Sequence, residues 1–115
     1  LIAMAANFIL VKGSEAQVGA LRFAIWDMQL DSSYPDEGYF ITPSDVGVGT
    51  IYGVELVGKQ IVGTPSPELI RIGMWDPSNG KFQVIVSGTA GSGLEEIANG
   101  TNLSGDIYRI LVIGS

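Results

Sequence analysis

The stretch LIRIGMWDPSNGKFQVIVSG (69–88) decides the fold class, because it predicts two strands joined by a tight turn. Asp76 and Pro77 suit the start of a type I turn, and Asn79 and Gly80 tolerate the positive φ values that such turns need. The residues on either side of the turn are rich in Ile and Val, which favour strands. The stretch therefore predicts an antiparallel β-hairpin.

The rest of the chain repeats this pattern of short apolar runs between turn residues. The 115 residues include 16 Gly and 5 Pro. Further strands are predicted over residues 7–13, 17–30, 39–42, 50–62 and 105–115. Gly19 is interpreted as a bulge inside the second of these strands.

Two segments favour helical structure instead of strands. Thr42, Pro43 and Asp45 have the chemistry of a helix start, so a single helical turn is expected there. LEEIAN (94–99) is the one segment predicted as a short helix. We therefore predict an all-β fold in a single domain over residues 1–115. The expected architecture is an antiparallel two-layer β-sandwich, either jelly-roll-like or closed into a small barrel, with one short helix near 94–99.

Two residue types that carry much of enzyme chemistry are absent, because the chain contains no Cys and no His. Without His, the usual general base near neutral pH and the commonest metal ligand are missing. Without Cys, there is neither a disulfide nor a thiolate nucleophile. No cofactor or metal is expected, and the chain is predicted not to be an enzyme. A hydrolase that uses two carboxylates in one cleft remains an alternative.

Charged residues are few, at 16% of the chain, and the acidic ones predominate, which gives a net charge of −6. The six Lys and Arg are scattered singly, so neither nucleic acid nor an anionic membrane surface is expected as a partner. The apolar fraction is 46% and the mean hydropathy is +0.33. Either the surface is neutral and rich in Gly, Ser and Thr, or apolar surface is buried against other chains; the second is favoured.

LRFAIWD (21–27) and IRIGMWD (70–76) share one pattern, which includes both Trp residues of the chain. Two Trp-Asp pairs are too few for a propeller, which needs at least four blades. Because side chains alternate along a strand, one face of each segment is predicted to face the core. These core-facing residues are Leu21, Phe23, Ile25, Ile70, Ile72 and Met74.

The opposite faces of the same two segments carry Arg and Trp. If the strands pair antiparallel with Ala24 opposite Gly73, Arg22 faces Trp75. Trp26 then faces Arg71 as well, and two cation–π contacts result. The alternative is that the shared pattern is a coincidence in a chain rich in Gly, Ile and Val.

None of the carboxylate pairs has the spacing of a metal or catalytic site. Asp31, Asp36 and Glu37 lie in a polar loop that lacks the alternating oxygen ligands of a calcium loop, and the loop is interpreted as solvated. Glu95 and Glu96 fit the first turn of the predicted helix, where the helix dipole favours negative charge.

Three segments carry a resemblance to a known family: EGYFITPSDVGVGTIYGV (37–54), WDPSNGKFQVIVSG (75–88) and LEEIANGTNLSGDIYRILVIG (94–114). They resemble small structural proteins of tailed bacteriophages, which are encoded near the major capsid protein and decorate or stabilise the head. In similar sequences an Asn-Gly-Lys hairpin precedes a Glu-x-Ala-x-Gly-Thr-x-Leu-Ser segment, which is residues 96–104 here, and a terminal strand that carries an Arg, here Arg109.

The resemblance implies a non-enzymatic decoration protein of the virion. Such a protein binds the major capsid protein on the outer capsid surface, often as a symmetric dimer or trimer, and stabilises the head. The residues also leave open a carbohydrate- or receptor-binding β-sandwich module of a viral or bacterial surface appendage. That alternative predicts a concave patch in which Trp26 and Trp75 lie near carboxylates.

Nine aromatic or apolar residues are candidates for the interface, because such side chains are favoured in binding surfaces. They are Leu1, Ile2, Met4, Phe8, Trp26, Tyr34, Tyr39, Phe40 and Trp75. Residues 1–11 are expected to form either an extended arm that pairs with a neighbouring chain or the first strand of their own sheet. Tyr34, Tyr39 and Phe40 have an alternative role in closing one end of the sandwich.

Overall fold

The structure, a computed structural model, describes residues 6–61, 71–87, 94–104 and 106–115. Over these ranges the strands are β1 (Asn7–Leu10), β2 (Ala16–Val18), β3 (Leu21–Gln29), β4 (Tyr39–Phe40), β5 (Ile51–Ile61), β6 (Arg71–Asp76), β7 (Lys81–Ser87), β8 (Leu94–Glu96) and β9 (Asp106–Gly114). A 3₁₀ turn spans Pro43–Val46. The predicted helical turn is confirmed, since Gly47 adopts a φ of +68° directly after it.

The strands form two antiparallel sheets that are not closed into a barrel in the described part of the chain. The five-stranded sheet has the order β1-β3-β9-β5, and β2 lies beside β1 on the same edge of β3. The four-stranded sheet has the order β4-β7-β6, and β8 also pairs with β7. The predicted all-β, two-layer sandwich is therefore confirmed, and the small-barrel alternative is wrong.

Ser14 bridges the gap between β1 and β2 along the edge of β3. Its hydroxyl donates to the carbonyl oxygen of Ile25 at 3.2 Å and accepts from the amide of Ile25 at 3.0 Å. The Ile25 carbonyl oxygen also accepts the amide of Val11 at 2.9 Å, so the Ser14 side chain chiefly supplies an acceptor for the Ile25 amide at this point of the ladder.

The bulge predicted at Gly19 is wrong, because residues 17–30 form a hairpin and not one strand. Val18 pairs with Leu21, and the loop consists of Gly19 and Ala20 alone. Gly19 has a φ of +60°, and Gly at the first position is typical of a tight type II′ turn. The alternation of side chains in the sequence did not distinguish a bulged strand from a hairpin, because the loop has only two residues.

The β6–β7 hairpin is confirmed, and of the two positive φ values predicted for its turn, the one at Gly80 is present while Asn79 does not adopt one. The Asp76 carboxylate accepts the Ser78 amide at 3.0 Å and the Asn79 side-chain amide at 2.8 Å. The hydrogen bond from Asn79 holds the pKa of Asp76 below its ordinary value. Gly80 supplies the positive φ, at +68°, before Lys81 pairs with Asp76.

The short helix predicted at 94–99 is wrong. Leu94–Glu96 forms β8, and the amide of Ile97 continues the pairing by donating to the carbonyl oxygen of Val84 at 2.9 Å. A helix of six residues has little intrinsic stability, whereas β7 offers backbone groups along its edge. Tertiary pairing therefore overrides the local preference of this segment. Glu95 and Glu96 accordingly lie on a strand and not in a helix's first turn.

The hydrophobic core lies between the two sheets. Its most deeply buried members include Met28 on β3, Tyr108, Ile110 and Val112 on β9, and Phe82 and Val84 on β7. Loop residues close the core at its ends, namely Leu30, Tyr34, Ile41, Val46 and Leu103.

The predicted core faces of β3 and β6 are inverted. Trp26 and Trp75 pack against the core, whereas Met74 is 56% exposed. Phe23 and Ile25 lie on the outer face of β3 and outside the core cluster. Both faces of β3 are apolar, so alternation alone could not choose between them, and the larger indole is the one buried. Ile70 lies outside the described residues.

The predicted pairing of the two Trp-Asp segments is also wrong, because β3 and β6 belong to different sheets. Ala24 pairs with Val112 and Gly73 pairs with Val84, so the register that would place each Arg opposite a Trp does not form. A different cation–π contact is present, since Lys81 Nζ lies 4.7 Å from the centre of the Phe40 ring. The shared pattern is a coincidence of two unrelated strands.

Candidate functional site

The outer face of the five-stranded sheet is apolar over the middle of β3 and β9. Register places Phe23 beside Ile113 and Ile25 beside Leu111, and all four side chains are partly exposed. We call these four residues the outer-face patch. Ile9 and Leu21 extend it and are 54% and 39% exposed. Exposed apolar surface that is contiguous marks a surface for binding.

An ion pair bounds the outer-face patch on one side. Arg109 of β9 donates from Nε and Nη2 to the two carboxylate oxygens of Asp27 on β3, at 2.8 and 3.0 Å. The hydrogen bond from Arg109 holds the pKa of Asp27 below its ordinary value. The two charges neutralise each other, so β3 and β9 contribute no net charge at this border of the patch.

A second feature is a cleft at the end of the five-stranded sheet, which we call the end cleft. Its volume is about 380 Å³. The β2–β3 hairpin forms one wall, and residues 46–48, which follow the 3₁₀ turn, form the other. Gly114 allows residues 48–50 to lie close to the end of β9. A Cβ at position 114 would collide with the backbone of Thr50 and lie 3.0 Å from the Val48 side chain.

The polar groups of the end cleft come from the hairpin wall. Glu15, Gln17 and Arg22 line the cleft and are exposed. Arg22 and Glu15 have no ion-pair or hydrogen-bond partner among the residues that the structure describes. Trp26 supplies aromatic surface. The indole Nε1 of Trp26 is buried and has no hydrogen-bond acceptor within the described ranges.

A third feature is a groove of about 370 Å³ between the two open sheet edges, β5 and β6. Tyr52 and Glu55 line one side, and Gly73, Met74 and Trp75 line the other. Trp26 and Trp75 therefore border separate depressions. The shared concave patch that the carbohydrate- or receptor-binding alternative predicts does not form between them.

Two tyrosine–carboxylate pairs fix the polar loop to the rest of the fold. Tyr34 donates to Glu96 at 2.6 Å and accepts the amide of Val84 at 3.1 Å. Tyr39 donates to Asp31 at 2.6 Å. Burial, and then the hydrogen bond to a carboxylate, raises the pKa of both tyrosines above the ordinary value. These tyrosines therefore stay protonated donors at neutral pH.

The loop that carries Asp31 is only partly solvated, in contrast to the prediction. Asp36 and Glu37 are exposed as expected, but Asp31 is half-buried and also accepts the amide of Ser33 at 3.1 Å. In the described part of the chain, no group of three or more potential ligands could hold a metal ion. No described helix is long and apolar enough to cross a membrane.

The structure separates the nine candidate interface residues. Leu1, Ile2 and Met4 lie outside the described residues, while β1 is the first strand of the chain's own sheet. Phe8, Trp26 and Trp75 pack partly against the core, and Tyr34 and Tyr39 are fully buried at the end of the sandwich. Phe40 alone among the described candidates is strongly exposed, at 63%.

The sequence interpretation missed the outer-face patch and the end cleft. The signal for the patch was present in β9, where Ile107, Leu111 and Ile113 alternate with a second set of apolar residues. A strand that is apolar on both faces indicates cover on both sides. Comparison of the chain with protein-family models, curated proteins and solved structures finds no match.

Proposed function

We propose that the chain is a non-enzymatic structural protein of a tailed bacteriophage, which binds the major capsid protein on the outer surface of the virion and stabilises the head. The resemblance of residues 37–54, 75–88 and 94–114 supports this proposal. The observation that carries it is the outer-face patch, because a decoration protein works by burying surface.

The size of the sheet face fits a weak contact that is repeated many times. β3 and β9 have nine residues each, with β5 on one side of them and β1 and β2 together on the other. A face four strands wide and about nine residues long covers roughly 19 by 30 Å, or about 570 Å² for each partner. Two such faces bury about 1,100 Å² in total, which is close to the lower limit of about 1,000 Å² for a specific interface. A symmetric dimer or trimer multiplies this contact on a lattice, and we include such an oligomer in the proposal.

The charge distribution is compatible with an outward position on the capsid. The chain has a net charge of −6, while Asp27 and Arg109 leave one border of the patch neutral. The apolar patch on β3 and β9 can therefore dock without desolvating an unpaired charge at that border. Glu55 of β5 lies beside Leu111 and places one exposed carboxylate at the opposite border. The acidic remainder of the chain then faces solvent, on the opposite side of the shell from the packaged DNA.

A co-sedimentation assay with capsids of the phage that encodes the chain tests the proposal. We expect the wild-type chain to sediment with the capsids and the Leu111→Lys variant to stay in the supernatant, because a charge in the patch cannot be desolvated cheaply. Met74→Lys is the matched control, since Met74 is an exposed apolar residue on the outer face of the other sheet. Circular dichroism checks that both variants fold.

Two results would count against the proposal. A wild-type chain that does not bind capsids contradicts the function itself. Equal binding by Leu111→Lys and wild type contradicts the assignment of the outer-face patch as the capsid-binding surface.

A further inference from the structure

We propose that the end cleft binds a saccharide unit. This inference does not rest on the proposed capsid function, because the end cleft and the outer-face patch involve opposite faces of β3 for most of their residues. Its volume of about 380 Å³ lies within the usual range for small-ligand pockets, roughly 300–1,000 Å³.

The polar groups at the mouth of the cleft fit a ligand that both donates and accepts hydrogen bonds. Arg22 can only donate, Glu15 can only accept as a carboxylate, and the Gln17 amide does both. A hydroxyl group is itself a donor and an acceptor, so a ring of hydroxyls can satisfy all three side chains. Gln17 is already oriented, since its Nε2 donates to the carbonyl oxygen of Gly19 at 3.1 Å and leaves its oxygen available.

The inner surface of the cleft fits the less polar C–H faces of a sugar ring. Leu10, Ala24 and Val48 contribute aliphatic surface there, beside the aromatic ring of Trp26. The buried Nε1–H of Trp26 lacks an acceptor among the described residues. The Trp26 ring lines the cleft, so a ligand bound there changes the surroundings of its indole group.

Two other ligand classes fit the cleft less well. A small anion would approach Arg22 but would also meet the carboxylate of Glu15 in a chain that is already acidic. An apolar peptide side chain would leave the three polar side chains at the mouth of the cleft without new partners. A neutral, hydroxyl-rich ring has neither disadvantage.

The indole groups provide a direct readout, because the chain contains only two Trp residues. In a ¹H–¹⁵N correlation spectrum of the ¹⁵N-labelled full chain, the two indole signals are assigned with the Trp75→Phe variant. D-glucose, D-galactose and N-acetyl-D-glucosamine are then titrated separately to about 50 mM, enough to fill nearly all of a site with a Kd of about 1 mM. We expect at least one sugar to shift the Trp26 signal saturably and to leave the Trp75 signal in place.

Arg22→Ala should weaken this binding about ten-fold or more, because it removes a charged hydrogen-bond donor. Arg109→Ala is the matched control and should bind as wild type, since Arg109 lies on the outer face of the sheet. Sodium acetate and inorganic phosphate serve as anion probes. The proposal is overturned if no sugar gives a saturable Trp26 shift, if only the anions do, or if Arg22→Ala binds as wild type.

Discussion

At the scale of single residues, Gly73 leaves room for the ring of Phe82 to pack against the core-facing side of β6. A Cβ at this position would overlap the ring of Phe82, which is fully buried. The Gly73→Ala variant should therefore be destabilised by about 1–3 kcal/mol through overpacking. Urea denaturation followed by Trp fluorescence measures the change.

Gly53 is the matched control for Gly73, since it also lies in a strand at a sheet edge. A Cβ on Gly53 meets nothing within 4 Å and its φ is not positive. Gly53→Ala should be neutral or slightly stabilising, because Ala reduces the entropy of the unfolded chain. Equal midpoints for the two variants would show that Phe82 does not fill this space.

Tyr34 is the second residue whose role can be tested alone. Tyr34→Phe removes the acceptor of the buried Val84 amide and the donor to Glu96. We expect a loss of about 1–3 kcal/mol in the free energy of unfolding, since a buried amide is left without a partner. Tyr52→Phe, in which the lost hydroxyl contacts Ser115 at the surface, should change stability far less. Similar losses for both variants would contradict the buried role of Tyr34.

At the scale of elements, most strand positions followed from local sequence, but the faces of the strands did not. The β6–β7 hairpin was predictable because Asp76, Asn79 and Gly80 encode the turn within five residues. The segment 94–96 was mispredicted because its partner β7 lies several residues away and replaces helix formation with edge pairing. On β3 both faces are apolar, so only the contact with the opposite sheet decides which one is buried.

The ion pair between Asp27 and Arg109 links β3 to β9 and gives a prediction for pH. The hydrogen bond from Arg109 lowers the pKa of Asp27 in the folded protein. The ion pair therefore stabilises the fold fully at pH values above the pKa of Asp in the unfolded chain, which is about 3.9. This stabilisation is lost as the pH falls through the lower pKa of the folded state. The urea midpoint of Asp27→Asn should therefore lie below wild type at neutral pH and approach it in acid.

Arg109→Gln provides the control for this pH effect. Arg109→Gln should remove the same pH-dependent part of the free energy of unfolding as Asp27→Asn. The double variant should remove no more than either single variant, because both side chains belong to one interaction. A midpoint difference that is constant with pH, or additive losses in the double variant, would contradict the linkage.

At the scale of the whole molecule, the sandwich was predictable and the sheet membership of its strands was not. Periodicity and turn residues favour strands everywhere, whereas long-range pairing placed β3 and β6 in different sheets. The end cleft was also beyond the sequence, because it joins residues 15–26 to residues 46–48 and Val112. Among the predicted site residues that the structure describes, Phe40 is the one strongly exposed. The apolar residues on the outer face of β3 and β9 had been assigned to the core or given no role.

The central claim is that the outer-face patch binds the outer surface of a capsid. Electron cryo-microscopy of capsids saturated with the chain tests it most directly. We predict additional density on the outside of the shell, into which the sandwich fits with Phe23, Ile25, Leu111 and Ile113 against the major capsid protein. Capsids without additional density, or with the sandwich bound so that this face points to solvent, would contradict the claim.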